Sequence, residues 1–257
     1  MDEIKIAELL PGFEKVDDQN INSVYRGHIQ PEQDDAPLLA YFKIIPPREV
    51  FVESVCSLLC SHLGLPTPEP YLLIMSEEVC PINGKHTIPA FATVDAKTPS
   101  FRQYLRQSPD NEQAIIAILK KWPELISSAT FDEFIGNTDR NIGNLLFDGK
   151  NITLIDHGLA IKETHRHNMP NFQNLLFDIV KNEDDVAKAR YKKSAYKKLE
   201  SYGKIPFNML SAKTLATDYM DDVSIDDVVN FLRNRIDFIK DHIVYQLGMG
   251  NKQRALR

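Results

Sequence analysis

Cysteine, unbroken apolar sequence and net positive charge are all scarce in this chain. Three cysteines are present, Cys56, Cys60 and Cys80, and their odd number and spacing fit no disulfide framework. Cys56 and Cys60 lie four apart on an expected helix. A metal site would need two further ligands at the usual spacing, and none follows, so the pair reads as small core residues in a reducing compartment. No apolar run approaches membrane-spanning length. The start, MDEIKIAELL, lacks the basic residues and apolar stretch of a secretory leader, so a cytoplasmic protein is expected. The formal net charge is −6, and no basic footprint covers the chain; direct contact with nucleic acid is not expected. The one basic stretch, Lys188, Arg190, Lys192, Lys193, Lys197 and Lys198, reads as a solvated helix face.

What is present is an ordinary globular balance, 43% hydrophobic and 26% charged over 257 residues, enough for one large domain or two packed lobes. The segments 21–30 and 36–45 are rich in β-branched and aromatic residues and flank PEQDD, which predicts a hairpin. A helix is expected from about Arg48 to His62, with Phe51, Val55, Leu58, Leu59 and His62 on one stripe. Gly64, Pro66 and Pro68 end it. Strands are expected at 71–75 and 87–94, joined by the Asn-Gly turn of INGK. After Asp95 the pattern becomes helical: a short helix at SFRQYLRQ, then 111–122, then 123–137 with Pro123 in its first turn. NLLFDGKNITLID follows as a hairpin turning at Asp148-Gly149. A single helix is expected over 225–247, started by a capping-box-like Ser224 and Asp227 and stopped at Gly248. Two lobes joined near residues 92–98 are the simplest architecture: a strand-rich lobe, 1–94, and a helical lobe, 95–257.

Residues 137–144 read NTDRNIGN, and LIDHG follows at 154–158. The loop leads into strand 144–147, and strand 152–156 returns beside it. Pairing Leu146 or Phe147 near Ile152 sets Asn144 beside Asp156, because antiparallel partners lie about 5 Å apart. Asp139 precedes them on the loop. Two oxygen ligands and a further carboxylate then converge, with neither cysteine nor a histidine pair. That donor set suits Mg²⁺, which keeps waters and binds substrate phosphates. It is the layout of a kinase-type phosphoryl-transfer site, with Asp139 at the attacking hydroxyl and Asn144 and Asp156 on the metal. Such a site needs a cation on the α/β-phosphates of ATP. Lys43, in the strand LLAYFKII, is the candidate. Glu53 on the following helix is its natural carboxylate partner, with Glu49 one turn earlier as competitor.

FIGNTDRNIGNLL and LIDHG resemble the catalytic segments of HipA-like kinases, a branch of the protein-kinase-like superfamily. YFKI, EVFVESVCSLLCSH and GLPTPEPYLL resemble that family's lysine strand, glutamate helix and following strand. The resemblance covers about residues 20–160; the rest is similar only in being helical. The chain is shorter than full-length HipA toxins, so the likeness is to a compact stand-alone kinase domain. It implies an α+β, bilobal kinase-like fold, with a strand-rich lobe carrying one helix and a helical lobe carrying a catalytic β-hairpin. Carried over by position, Asp139 is the catalytic aspartate, Asn144 and Asp156 hold Mg²⁺, Lys43 binds phosphate and Glu53 pairs with it. Asn137 and Arg140 hold the loop, with Arg140 placed near phosphate. The adenine of ATP is expected against residues 91–95, with Phe91 and Thr93 in contact.

Three departures stand out. Asn141 occupies a position where HipA-like motifs often carry His. The triplet is Asp-His-Gly, which together with NTDR and GN also resembles phosphatidylinositol 4-kinase relatives. NINSVYRGH holds Gly27 alone in place of a glycine-rich loop, leaving backbone amides and Ser23 to cover the phosphates. The expected activity is Mg²⁺-dependent transfer of the γ-phosphate of ATP to a Ser or Thr hydroxyl of a protein. The alternatives are a pseudokinase or nucleotide-binding module, which ATP turnover would separate, and a lipid kinase, which anionic-vesicle binding would separate. HipA-like toxins often pair with a DNA-binding antitoxin; no residue here points to one. The stretch 161–174 is a candidate mobile segment, and its His165 and His167 read as solvated.

Overall fold

The structure is a computed structural model that describes residues 1–16, 23–32, 36–80, 89–107 and 112–249. The expected INGK turn and the terminal NKQRALR lie outside the described residues.

The first part is a six-stranded sheet with one helix. Its strands are β1 (Lys5–Leu9), β2 (Glu14–Val16), β3 (Val24–Pro31), β4 (Leu38–Lys43), β5 (Pro70–Ile74) and β6 (Ala90–Val94), in the order β1-β5-β6-β4-β3-β2. β1 runs parallel to β5 and also pairs antiparallel with β3, so the sheet curls back on itself. The expected hairpin is β3–β4, with Gly27 opposite Ala40 and Val24 opposite Lys43. Alternation decides its faces: Ala40 and Phe42 are buried in the sheet core, while Tyr41 and Lys43 face the other way. β1 and β2 were not expected, because each is short and charged and earns its place only by pairing with distant strands.

Helix α1 (Pro47–His62) opens on a proline, tolerated there because the first N–H groups lack helical partners. Its burial is wider than the expected stripe: every residue from Val50 to Cys60 is buried, while His62 is only half-buried. Cys56 and Cys60 are free thiols inside this core. Gly64, at φ +71°, takes the left-handed conformation that ends the helix.

The rest is helical apart from one hairpin. α2 (Phe101–Gln107) and α3 (Glu112–Lys121) precede α4 (Leu125–Phe134), which is buried along its whole length and ends before Gly136 at φ +65°. The hairpin is β7 (Leu145–Phe147) with β8 (Ile152–Leu154). Its turn is held by Asp148, whose Oδ1 accepts from the N–H groups of Lys150 (2.8 Å) and Asn151 (2.6 Å). Then come α5 (Leu175–Asp178), α6 (Asp185–Tyr202), α7 (Leu210–Lys213), α8 (Asp222–Arg235) and α9 (Ile239–Gln246). α5, α6 and α9 pack on α4.

The single helix expected at 225–247 is two. Phe238 N donates to Arg235 O at 3.1 Å, and Asp241 N to Phe238 O at 3.0 Å; these tighter bonds break the α-helical ladder between α8 and α9. The apolar stripe runs unbroken through the bend, with Leu232, Ile239, Ile243 and Leu247 all buried, which is why the sequence shows no seam. The cap of α8 is Asp221, whose Oδ1 accepts from Ser224 N at 2.9 Å, so Ser224 is the residue capped.

Candidate active site

The centre of the site is one cation between two carboxylates. β4 delivers Lys43, α1 delivers Glu53, and the chain leaving β8 delivers Asp156. Lys43 Nζ donates to Glu53 Oε1 at 2.8 Å and to Asp156 Oδ1 at 2.6 Å. Of the two candidate carboxylates on α1, Lys43 therefore meets Glu53. The other Glu53 oxygen accepts the backbone N–H of His157 at 2.8 Å. The carboxylate thus ties the lysine to the peptide next to Asp156. It also crowds Gly158, where a Cβ would come within 3.1 Å of Oε1. Burial disfavours the Lys43 ammonium, but its two carboxylate partners outweigh this and hold its pKa above the ordinary lysine value. Burial likewise opposes the Asp156 carboxylate, and the lysine prevails, holding it below the usual carboxylate range.

The hairpin takes one of the two expected pairings, Phe147 against Ile152, but that register places Asn144 one residue short of Asp156. Phe147 opposes Ile152 and Leu145 opposes Leu154, so Asn144 continues the ladder opposite Ile155, whose N–H reaches Asn144 O at 3.2 Å. Asp156 lies one residue beyond, at φ +61°. That left-handed backbone is costly for a residue with a Cβ, and it turns the chain out of the strand beside Lys43. Asn144 and Asp156 nevertheless line the same cleft.

The loop before the hairpin is held from beneath by Asp132, which the sequence did not single out. Arg140 is buried and grips Asp132 through Nε and Nη2, each 2.9 Å from a carboxylate oxygen. Its Nη1 donates to the carbonyls of Asn144 (3.1 Å) and Ile155 (2.7 Å), bolting α4 to both strands of the hairpin. A guanidinium so committed does not face phosphate, and the expected placement of Arg140 there is corrected. Asn137 donates to Asp132 Oδ1 at 3.0 Å and accepts the Asp139 N–H at 3.0 Å. Asn141 continues the chain of contacts: its Nδ2 donates to Asp139 O at 3.0 Å, and its Oδ1 accepts from Gly143 N at 2.8 Å. The contacts of Asp139 are made by its main chain; among the described residues its half-exposed carboxylate accepts no hydrogen bond.

The cleft beside these residues is walled by Val16, Val24, Tyr41, Phe91, Thr93 and Leu146. Phe91 and Thr93 alternate on β6 opposite Lys43 and Tyr41 of β4. Ser23 is exposed immediately before β3, and Val24 is the residue that reaches the wall. The segment leaving β6 is pinned by Asp95, whose Oδ2 accepts from Arg26 Nη2 at 2.8 Å and whose Oδ1 accepts from Lys97 N at 2.7 Å. These wall residues come from five separate stretches of chain, and no local spacing announces them.

The stretch 161–174 is held by Arg235. This buried guanidinium donates to the carbonyls of Arg166 (3.1 Å) and Met169 (2.9 Å), to Glu133 Oε1 (3.1 Å) and to Asn171 Oδ1 (2.8 Å). Asn171 in turn donates to Asn137 O at 3.3 Å. His165 and His167, expected to be solvated, are half-buried, and His167 packs on Phe238 at 5.7 Å between ring centroids. The basic run lies on α6, which packs on α4 and α9, and none of its residues lines the cleft.

A divalent metal fits the donor set. Asn144 and Asp156 offer hard oxygens on one cleft wall, and among the described residues no cluster of three His, Cys, Asp or Glu forms a complete cage. That suits an ion completed by water and substrate phosphate.

The sequence profile of the HipA-like kinase family matches residues 33–235, and the chain belongs to that family. It is a kinase by family, a class that acts on ATP with a divalent metal. No curated protein matches the chain. Among solved structures it is similar to the Helicobacter pylori proinflammatory kinase CtkA, at 14% identity and a TM-score of 0.59, over 97% of this chain and 99% of that one. This second likeness is one of fold. No helix among the described residues is long and apolar enough to cross a membrane.

Proposed function

We propose that this chain is an ATP- and Mg²⁺-dependent kinase that transfers the γ-phosphate to a Ser or Thr hydroxyl of a protein. The observation that carries the proposal is the convergence on one cleft of Lys43, its partners Glu53 and Asp156, and Gly143 and Asn144 at the end of the loop that carries Asp139. ATP lies between a lobe of residues 1–94 and a lobe of residues 95–257, its adenine against Phe91, Thr93 and the chain that follows. Ser23 stands at the phosphate end of β3. Lys43 neutralises the α/β-phosphates, and Glu53 orients it. Asn144 and Asp156 hold the Mg²⁺, which supplies charge neutralisation on the phosphates. Asp139 orients the acceptor hydroxyl and takes its proton as transfer completes; a carboxylate without a hydrogen-bond donor of its own suits that role. Asn137 and Arg140 hold the loop through Asp132. The protein's contribution is positioning and electrostatic compensation, the large contributions in phosphoryl transfer. None of the basic residues of α6 lines the cleft, which weighs against a membrane-facing lipid kinase.

The test is incubation with γ-labelled ATP and Mg²⁺, wild type beside Asp139→Ala. Label on protein from the wild type alone is the expected outcome. Equal labelling by both would remove Asp139 from the chemistry. ATP binding without any transfer by the wild type would favour a nucleotide-binding module.

A further inference from the structure

Helix α6 carries charge that the fold does not use. Its basic residues are Lys188, Arg190, Lys192, Lys193, Lys197 and Lys198, and its buried residues are Ala195 and Tyr202. The carboxylates near its start are already taken. Asp178 accepts from Lys181 Nζ at 3.0 Å, Glu183 accepts from Lys120 Nζ at 2.5 Å, and Asp184 Oδ1 caps the helix by accepting from Ala187 N at 2.8 Å. Among the described residues, none of the six basic side chains makes an ion pair. Like charges stand at helical spacing in Lys188 and Lys192, Arg190 and Lys193, and Lys193 and Lys197, an arrangement that mildly disfavours the helix. A merely solvated face intersperses both signs; Arg190, Lys193 and Lys197 present one sign on one exposed face. Tyr196 gathers two further ammoniums: Lys192 Nζ lies 6.0 Å from its ring centroid, and Lys240 Nζ of α9 lies 5.7 Å from it. Two helices therefore contribute to the same positive surface.

The partner of such a surface is anionic, and the extent of the patch decides its kind. Arg190 to Lys198 spans about 12 Å of helix. Asp184 and Asp185 bound it at one end and Glu200 at the other. The whole chain stays at −6 with these cations counted, so the surface beyond the patch is acidic on balance. A nucleic-acid strand or an anionic bilayer would extend past the patch onto that surface and be repelled there. A short acidic segment would not. We infer that the Arg190, Lys193 and Lys197 face of α6 docks an acidic segment of a partner protein. None of these residues lines the cleft, so a docked segment leaves the nucleotide site open, and the inference does not depend on phosphoryl transfer.

The full chain is titrated into two short fluorescein-labelled peptides, one of alternating Glu and Ala, the other with Gln for every Glu. Anisotropy should show the Glu peptide bound about tenfold more tightly by wild type. In Lys193→Gln/Lys197→Gln the preference should fall to about twofold or less. Those substitutions relieve like-charge spacing, so the melting temperature should not drop, which separates lost binding from lost folding. Lys150→Gln/Arg233→Gln removes as much charge from exposed positions elsewhere and should keep the preference. Equal binding of the two peptides by wild type overturns the inference. So does an equal loss in the Lys150 and Arg233 variant, which would assign the preference to the charge of the chain at large. Oligouridine or phosphatidylserine vesicles bound more tightly than the Glu peptide, and released by the same α6 variant, would assign the face to nucleic acid or to a membrane and overturn it as well.

Discussion

Lys43 Nζ and Asp156 Oδ1 lie 2.6 Å apart across 113 residues of chain. The same ammonium holds Glu53 at 2.8 Å, so two carboxylates that would repel each other share one cation. The lysine is 17% exposed, Asp156 34% and Glu53 1%, which makes Glu53 the partner with no access to water.

Lys43→Met should therefore cost stability as well as nucleotide affinity. It strands a buried Glu53 carboxylate, and breaking a buried pair costs about 3–5 kcal/mol. Glu53→Gln should cost less, because an amide oxygen still accepts the His157 N–H. Urea unfolding measures both. A loss below about 1 kcal/mol for Lys43→Met would mean that water relieves the stranded charge.

Asp139→Asn should separate chemistry from folding. The carboxylate accepts no hydrogen bond among the described residues, so stability should stay within about 0.5 kcal/mol of wild type. Transfer should fall by about 10²–10⁴-fold if the residue handles the proton. Stopped-flow transfer assays beside thermal melts check the split.

Asp132 is the structural counterpart. Asp132→Ala leaves the Arg140 guanidinium buried without its carboxylate, at a cost of about 3–5 kcal/mol. Arg140→Lys keeps a charge but loses the two-pronged grip, and should also fall well short of wild type in denaturant midpoint. Equal midpoints for wild type and Asp132→Ala would show that the loop is held elsewhere.

His242 should make the protein acid-sensitive. It is buried, and burial together with nearby Arg235 pushes its pKa down to about 4 from an ordinary 6.5. Between those values the unfolded chain binds a proton that the folded chain refuses. Stability therefore rises with pH across the window from about 4 to 6.5 and is lost on acidification, by at most about 3 kcal/mol. The neutral ring's one close charged neighbour is Glu133, 3.5 Å from Nδ1, and that carboxylate keeps Arg235 and Gln246 without it, so His242→Leu should be tolerated. Melting temperatures from pH 7 to pH 4 should fall less steeply in the variant. Parallel curves would assign the acid sensitivity to other groups, His157 among them, whose pKa burial also lowers.

The β3–β4 hairpin, helix α1, the β7–β8 hairpin and the nearness of Lys43 to Glu53 were all legible in the sequence. Each depends on contacts close in the chain, where periodicity and turn chemistry act directly. The Phe147–Ile152 pairing was also legible, but counted along it Asn144 faces Ile155, and Asp156 leaves the strand one residue later at φ +61°. The seam between α8 and α9 was hidden because the apolar stripe does not register a change in backbone hydrogen bonding.

By itself, the sequence determined the family, the order of the strand-rich and helical parts, and which polar residues stand on the Asp139 loop. The family follows from the resemblance of its motifs to known kinases; the other two are properties of composition, spacing and local turns. Only the tertiary structure decided that Asp132 supports that loop, that Arg235 gathers the 161–174 stretch, and that Arg102 reaches Asn141 from α2. The physical reason is that buried charges must find partners wherever the packed core places them. For Arg235 and Glu133 that partner lies 102 residues away, beyond any pattern local spacing can carry.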